Sequence, residues 1–364
     1  MKIKMLKHLT PIGLVLGTWV ASFSVQADTI DPMSYTDKLD VGESVTIRKT
    51  VTVTEAPTSS VLDVMFIFDL TGSMGGAISG AKAAAADIMS GLDAFGDLQT
   101  GTGWYSDPGS DGTYVDLNAG NTAASSGISD MWDGSSCSVG GMGVGCGGDF
   151  PEMTYAAIKD SAESTSWRTG SNRFIIVLGD ASNKGPVMAP ETIAALGAAD
   201  VNLIGLEFGG GAFGSSITAL GGDVYSGGAS SAAIVSDIIA GVTSSFATYS
   251  TVTVDDFGAG MPGVGVSVSC VSADIGACVG SDAVGSYDRS VERTFEFDVT
   301  FTGMAEGIYD FDTHAVVDGG IVATEDDLFS VGPRGGRDAS VPEPASIAMF
   351  ALGLLGLRLR AKRS

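Results

Sequence analysis

The segment VLDVMFIFDLTGSM, residues 61–74, decides the fold class of this 364-residue chain. Its first eight residues are almost all apolar and lack polar alternation, a pattern typical of a strand buried on both faces of a parallel sheet. Three oxygen-bearing side chains then follow at alternate positions, in Asp69, Thr71 and Ser73. Because ligands bind at the carboxyl edge of such sheets, this loop is predicted to lie at a binding edge.

The three side chains have the chemistry of a metal site. A carboxylate and two hydroxyls are hard oxygen ligands, which suit Mg²⁺, Mn²⁺ or Ca²⁺ better than zinc. The same residue types also form turns and helix caps after strands, so this loop alone supports a structural role equally well. Two further segments favour a metal: an apolar strand at 173–179 that ends in Asp180, and a loop that carries Asp149 and Glu152. All three segments are predicted to meet at one sheet edge.

With these residues the chain resembles the von Willebrand factor A domain, whose metal-ion-dependent adhesion site uses Asp-x-Ser/Thr-x-Ser and residues of two other loops. The Asp-x-Pro-Glu loop is most similar to that of integrin β-subunits, where the Glu completes the adhesion site. The resemblance implies a divalent cation, with Mg²⁺ preferred and Mn²⁺ or Ca²⁺ as alternatives. It implies a common set of oxygen ligands, namely Asp69, Thr71, Ser73, Glu152 and Asp180. Thr154 is an alternative ligand.

A second cation site has weaker support from the resemblance. Asp107 and Asp149 are its candidate ligands, but Gly147 stands where the family has an Asn. Integrin β-subunits also carry an acidic pair shortly after the motif for a third cation. Gly76 and Ala77 stand there in this chain, so a third site is not expected.

Both ends of the chain have the composition of export signals. Residues 1–27 contain lysines, an apolar stretch and a small-residue cleavage site, as in a secretory signal peptide. Residues 342–364 contain Pro-Glu-Pro, an apolar run and a basic end, and they resemble a PEP-CTERM tail. That resemblance implies export across the inner membrane of a Gram-negative bacterium, processing by an exosortase-type enzyme, and a place at the cell surface or in an exopolysaccharide-containing matrix.

The apolar run of the tail would span about 20 Å as a helix, against about 30 Å for a hydrocarbon core. Transient contact of the terminal segments with the membrane is therefore predicted, with a short anchor as the alternative. In an exported chain the four cysteines should be oxidised, and close spacing favours two local pairs among three connectivities. The predicted pairs are Cys137 with Cys146 and Cys270 with Cys278.

The charge balance excludes one class of partner. The two terminal segments carry seven of the 19 Lys and Arg and one of the 43 Asp and Glu, which leaves 12 basic and 42 acidic residues and a net charge of −30. Such a body repels phosphate backbones, so no nucleic-acid partner is expected.

The order of patterns along the chain predicts two interleaved domains. Alternating helix and strand patterns predict a doubly wound α/β domain over 61–248, with a Gly/Ser-rich insertion at about 100–148. Strand patterns at 44–54, 250–254, 265–270, 293–301 and 308–317 predict one all-β sandwich, built from residues 28–60 and 249–332, into which the α/β domain is inserted. Residues 333–341 are a linker to the tail. This arrangement resembles the integrin hybrid domain.

A binding protein is predicted rather than an enzyme. The only histidine after residue 27 is His314, so a nucleophilic triad would depend on it. His314 alternates with Asp310 and Asp312, which favours a solvated sheet face over a metal site. The resemblance implies an adhesion protein whose cation coordinates an acidic group of a protein or polysaccharide ligand. The alternatives are a structural matrix component with a structural metal and a metal-dependent hydrolase.

Overall fold

A computed structural model describes residues 27–55, 61–106, 110–132, 137–147, 150–209, 212–228 and 230–333. The predicted signal peptide up to residue 26, the sorting tail and nearly all of the linker lie outside these residues. So do Asp107 and Asp149 of the candidate second cation site. Within the described ranges, no helix is both long and apolar enough to span a membrane.

The described part of the chain begins with three strands that belong to two flanking sheets. They are β1 (Thr29–Asp31), β2 (Ser34–Asp40) and β3 (Ser44–Val53). A central α/β unit follows, and its strands form a six-stranded sheet and a small hairpin. They are β4 (Val61–Asp69), β5 (Asp97–Ser106), β6 (Ser110–Val115), β7 (Ser138–Val139), β8 (Met142–Gly143), β9 (Asn172–Gly179), β10 (Val201–Glu207) and β11 (Asp223–Ser226).

The helices of the central unit lie on both faces of its large sheet. They are α1 (Gly75–Asp93), α2 (Asn121–Asp130), α3 (Thr154–Ser164), α4 (Ala189–Ala199), α5 (Phe213–Ala219) and α6 (Ser231–Ser245). The sheet has the order β11-β10-β9-β4-β5-β6, and only β6 runs antiparallel to its neighbour among these strands. The predicted mixed α/β architecture, with a mostly parallel sheet, is confirmed.

Burial explains why β4 is almost uniformly apolar. Phe66 and Phe68 pack into a core with α1 and α6, whereas Met65 and Ile67 pack into a second core with α3 and α4. Alternate side chains of one strand therefore enter two different cores, and residues 64–68 in the middle of the strand are all apolar. This central position fixes the end of β4, and with it the loop that begins at Asp69.

The prediction of a Gly/Ser-rich insertion at about 100–148 was wrong. This stretch contains most of β5, all of β6 and all of α2, so it contributes two strands to the sheet. The glycines that suggested a loop allow close packing instead: a Cβ on Gly101 would lie 2.7 Å from Met65 Sδ and 2.7 Å from the carbonyl oxygen of Val115. Sequence analysis also missed β2, β11, α5 and the strand over Gly320–Gly332.

Seven strands follow the central unit. They are β12 (Thr248–Asp255), β13 (Val264–Ala273), β14 (Ala277–Val279), β15 (Asp282–Asp288), β16 (Arg293–Gly303), β17 (Gly307–Val317) and β18 (Gly320–Gly332). They pair with the first three strands in two sheets, of order β1-β3-β16-β13 and β14-β15-β12-β17-β18-β2. Antiparallel pairing joins β3 to β16, and parallel pairing joins β2 to β18. One hydrophobic cluster takes side chains from both sheets.

Candidate metal centre

The loop after β4 holds three of the predicted ligands. Asp69 ends the strand and is fully buried, and its Oδ1 accepts a hydrogen bond from the backbone N–H of Thr71 at 2.9 Å. Thr71 precedes a short 3-10 helix, Gly72–Met74, that leads into α1. The hydroxyl oxygens of Thr71 and Ser73 lie 3.4 Å apart. The Asp-x-Thr-x-Ser spacing thus brings one carboxylate and two hydroxyls to one turn.

Glu152 and Asp180 reach the same sheet edge from two other segments. Asp180 follows β9, which pairs directly with β4, and its negative charge acts on Asp69. The loop of Glu152 is tied to the residues after Asp180, because its N–H donates to Ser182 O at 2.9 Å and its carbonyl accepts from Lys184 N at 2.6 Å. Thr154, the alternative ligand, is buried at the start of α3.

A surface depression of about 280 Å³ opens at this edge. Its lining includes Thr71, Ser73 and Glu152, together with Cys146 and Phe150. The loop after β4 and the loop of Glu152 therefore face a common space. Oxygen atoms line part of that space and an exposed phenyl ring borders it.

Several buried oxygens beside this depression have no hydrogen-bond partner. They are Asp69 Oδ2, Tyr105 Oη, Thr154 Oγ1 and Asp180 Oδ1. Buried polar atoms in folded proteins are nearly always hydrogen-bonded, so a group of unpartnered oxygens at one sheet edge needs an explanation. Carboxylate and hydroxyl oxygens fit a hard divalent cation. In the part of the chain described, no three His, Cys, Asp or Glu side chains alone cluster as a metal site, so hydroxyl ligands would be required.

The electrostatics of the site disfavour charge on Asp69 when no cation is bound. The pKa of Asp69 is raised to about 6; burial is the main cause, the hydrogen bonds from Thr71 oppose the rise, and the charge of Asp180 adds to it. Burial and the charge of Asp69 raise the pKa of Tyr105 well above its ordinary value. A bound cation would offset the repulsion between the two carboxylates.

When a chelator has removed the cation, we expect the stability of the protein to depend on pH through the protonation of Asp69. Its folded pKa of about 6 exceeds the ordinary 3.8, so the folded state binds more protons between those values. The contribution of this group to the free energy of unfolding should therefore fall by about 2 kcal/mol as the pH rises from about 4 to 6. Thermal unfolding in EDTA at several pH values should show this fall, and Asp69→Asn should lack it. Identical profiles for both proteins would contradict the assignment.

Tyr105 is a neighbour of the site that sequence analysis did not assign to it. It is fully buried and pairs with Asp69 in the register of β4 and β5, and its carbonyl accepts a hydrogen bond from Leu70 N at 2.8 Å. The sequence signal that could have identified it is the Trp-Tyr-Ser sequence at the end of β5. The glycines earlier in β5 concealed this strand, because they suggested a loop. A Cβ on Gly179 would come within 2.5 Å of the Tyr105 hydroxyl, so this glycine makes room for the ring.

Both predicted disulfides are present. Cys137 pairs with Cys146 at a Cα separation of 4.9 Å, and Cys270 pairs with Cys278 at 5.3 Å. The first pair also borders the candidate metal centre, because Cys146 O accepts a hydrogen bond from Gly72 N at 3.0 Å. It therefore ties the segment after α2 to the Asp-x-Thr-x-Ser loop.

His314 lies on β17, far in sequence from this edge. Asp310 and Asp312 are exposed, and His314 is partly exposed on the same alternation. Its Nδ1 lies 3.0 Å from Thr324 Oγ1, and burial lowers its pKa. These contacts agree with the predicted polar sheet face.

Residues 340–363 match the family model of the PEP-CTERM protein-sorting motif. This motif indicates an exported, surface-attached protein of a Gram-negative bacterium and implies processing at the C-terminal tail by an exosortase. No curated protein is detectably similar in sequence to the chain.

Solved structures of proximal thread matrix protein 1 from the mussel byssus are similar at 14% identity. Two of them cover 56% of this chain and 48% of the mussel chain, with TM-scores of 0.39 and 0.40. A third, of the mussel protein with a zinc-occupied MIDAS motif, covers 54% and 47%, with a TM-score of 0.39. The matched region is thus about half of the mussel chain. Similarity at this level assigns no function to the present chain.

Proposed function

We propose that the chain is an exported bacterial adhesion protein that binds an acidic group of a protein or polysaccharide through a divalent cation. The observation that carries the proposal is the set of buried, unpartnered oxygens of Asp69, Thr154 and Asp180 beside an open depression. The proposed ligands are the oxygen-bearing residues of three converging segments, Asp69, Thr71, Ser73, Glu152 and Asp180, with Thr154 as the alternative to one of them.

The cation, Mg²⁺ in preference to Mn²⁺ or Ca²⁺, would supply a Lewis-acidic position for a ligand carboxylate. Residues of the chain would supply the other ligands of the cation and fix their positions. The Thr71 N–H holds Asp69 in a fixed orientation, and the Thr71 and Ser73 hydroxyls contribute neutral oxygens, which leave the cation with residual positive charge. The depression lined by Thr71, Ser73 and Glu152 has room for a carboxylate group.

We further propose that the central unit, residues 61–248, is a von Willebrand A-type domain inserted into one β-sandwich built from residues 28–60 and 249–332. The pairing of β3 with β16 and of β2 with β18 supports this, because it joins strands from both sides of the central unit. The arrangement is similar to the integrin hybrid domain. The candidate second cation at Asp107 and Asp149 remains a proposal from sequence.

The ligand proposal is tested by retention of the full-length chain on immobilised polygalacturonic acid and on an immobilised aspartate-containing peptide. We expect retention on at least one of them in Mg²⁺ and release by EDTA. Asp69→Ala should lose retention, whereas Asp93→Ala should keep it, because Asp93 is an exposed carboxylate at the far end of α1. Retention that survives both EDTA and Asp69→Ala would contradict cation-mediated binding.

A structural matrix role is the second candidate, in which the cation only stabilises the α/β unit. In that case Mg²⁺ would raise the melting temperature, but neither probe would be retained in a cation-dependent way. A hydrolase would instead release products from ester or glycoside substrates in Mg²⁺. Three readouts, namely melting temperature, retention and product release, therefore separate these functions from adhesion.

A further inference from the structure

Three charged side chains lie inside the core between the two flanking sheets. Lys49 of β3 and Glu325 and Asp327 of β18 are all fully buried. Because side chains alternate between the two faces of a strand, Lys49 lies on the same face of β3 as Val51 and Val53. The two acids lie on the same face of β18 as Phe329. Each residue thus occupies a core position that its neighbours on the same face fill with apolar side chains.

The contacts within this cluster are direct. Lys49 Nζ contacts the carboxylate of Glu325, and it lies 3.8 Å from Asp327 Oδ1. Thr313, also fully buried, donates its hydroxyl to Asp327 Oδ2. Lys49 Nζ further lies 5.0 Å from the centre of the Phe301 ring. Glu325 Oε1 and Asp327 Oδ1 have no hydrogen-bond partner.

An ordinary ion pair accounts poorly for this arrangement. Two carboxyl groups face one ammonium group in an apolar core, so full ionisation would leave an unbalanced buried charge, which is costly. Burial raises the pKa of Glu325 to about 7, with Lys49 opposing the rise and Asp327 adding to it. Burial also raises the pKa of Asp327. Burial therefore favours the neutral carboxyl form of Glu325 over its carboxylate.

A primary amine held in direct contact with a carboxyl group, in a core closed to water, is arranged for condensation. We propose that Lys49 and Glu325 form an intramolecular isopeptide bond in the folded protein. Lys49 Nζ attacks Glu325 Cδ, a C–N bond forms, and the C–O bond to the departing hydroxyl breaks. Asp327, as its carboxylate, accepts the proton that Nζ loses and passes it to the departing hydroxyl, which leaves as water, so Asp327 ends as it began. The step consumes no oxidant or reductant.

The bond would have a structural consequence that an ion pair lacks. It replaces two buried ionisable groups by one neutral amide, and it links residues that are 276 positions apart in sequence. Because β3 precedes the central unit and β18 follows it, the link would close the chain covalently around that unit. It would also join β3 to β18, the strand that leads to the sorting tail. A pulling force between β3 and the tail would then act on a covalent bond.

Peptide mapping of the full-length purified chain by trypsin and mass spectrometry tests the proposal. We expect cleavage after Lys49 to be blocked and residues 49–82 to be recovered joined to residues 294–334, lighter than their sum by one water. Fragmentation should place the link on Lys49 and Glu325. Recovery of separate, unmodified peptides 50–82 and 294–334 would overturn the proposal, and a link to Asp327 would overturn the roles assigned to the two acids.

The same digest contains a matched control. Lys159 Nζ lies 2.6 Å from Glu163 Oε2, but this pair lies on the surface of α3, where water stabilises both charges. Cleavage after Lys159 should therefore be complete. Lys49→Met, which keeps an unbranched side chain without the amine, should give no linked peptide.

Asp327 is proposed as a positioning and proton-transfer residue, and its test is a rate. In Asp327→Asn, the linked fraction should increase over hours after purification, whereas the wild-type chain should be fully linked when first isolated. Full linkage in the first sample of Asp327→Asn would overturn the role of Asp327.

Discussion

Replacing Asp63 with alanine is expected to lower the free energy of unfolding of the central unit by about 3 to 5 kcal/mol. Asp63 is fully buried near the start of β4, at the edge opposite the candidate metal centre. Its carboxylate accepts hydrogen bonds from the backbone N–H and the Nε of Arg168 at 2.8 and 2.7 Å. Removal would leave the backbone N–H and the Nε of Arg168 without their buried acceptor, while the rest of the guanidinium still contacts Asp97. Urea denaturation followed by circular dichroism measures the loss.

Asp97→Ala is the matched control for this prediction. Asp97 binds the same guanidinium at 2.7 Å, but its side chain is 71% exposed, so water screens the pair. Its removal should cost about 1 kcal/mol or less. Equal losses for Asp63→Ala and Asp97→Ala would contradict the claim that burial of the Asp63 pair sets its contribution.

Phe329→Ala is expected to cost a similar 3 to 5 kcal/mol, about the value for other buried phenylalanines. The ring is fully buried on β18 and packs between both flanking sheets. Its centre lies 4.7 Å from that of Phe301, 5.8 Å from that of Tyr35 and 6.0 Å from that of Phe311. The change would create a cavity at a junction of four strands. Calorimetric unfolding should show a lower melting temperature for the transition of the flanking sheets.

Ile308→Ala controls for the loss of an apolar side chain as such. Ile308 lies on β17 in the same sheet but is 62% exposed, so its truncation should change stability by about 0.5 kcal/mol or less. If the two variants were equally stable, Phe329 would not be part of a tightly packed core.

Sequence predicted best the elements that had strong hydrophobic patterns. The uniformly apolar strands β4 and β9 lie close to their predicted positions. The strand β5 was missed because its glycines, which allow Met65 to pack closely, make it read as a loop. The strand β18 was missed for a related reason, since Glu325 and Asp327 suggest solvent but point into the core.

The residues of the candidate site were predictable to different degrees. The spacing of Asp69, Thr71 and Ser73 requires only a local turn, so sequence was sufficient to bring them together. Tyr105 was not predictable, because its position depends on the register between β4 and β5. The contact of Cys146 with Gly72 likewise depends on how the segment after α2 folds back, which no local pattern encodes.

The central claim is that the edge formed by Asp69, Glu152 and Asp180 binds a divalent cation, and calorimetric titration of the full-length chain with Mg²⁺ and Mn²⁺ tests it most directly. The account predicts saturable binding, with the site near Asp69 contributing one cation per chain. That contribution should be lost in Asp69→Ala and retained in Asp93→Ala. Binding that is absent in the wild-type chain, or unchanged in Asp69→Ala, would contradict the proposed site.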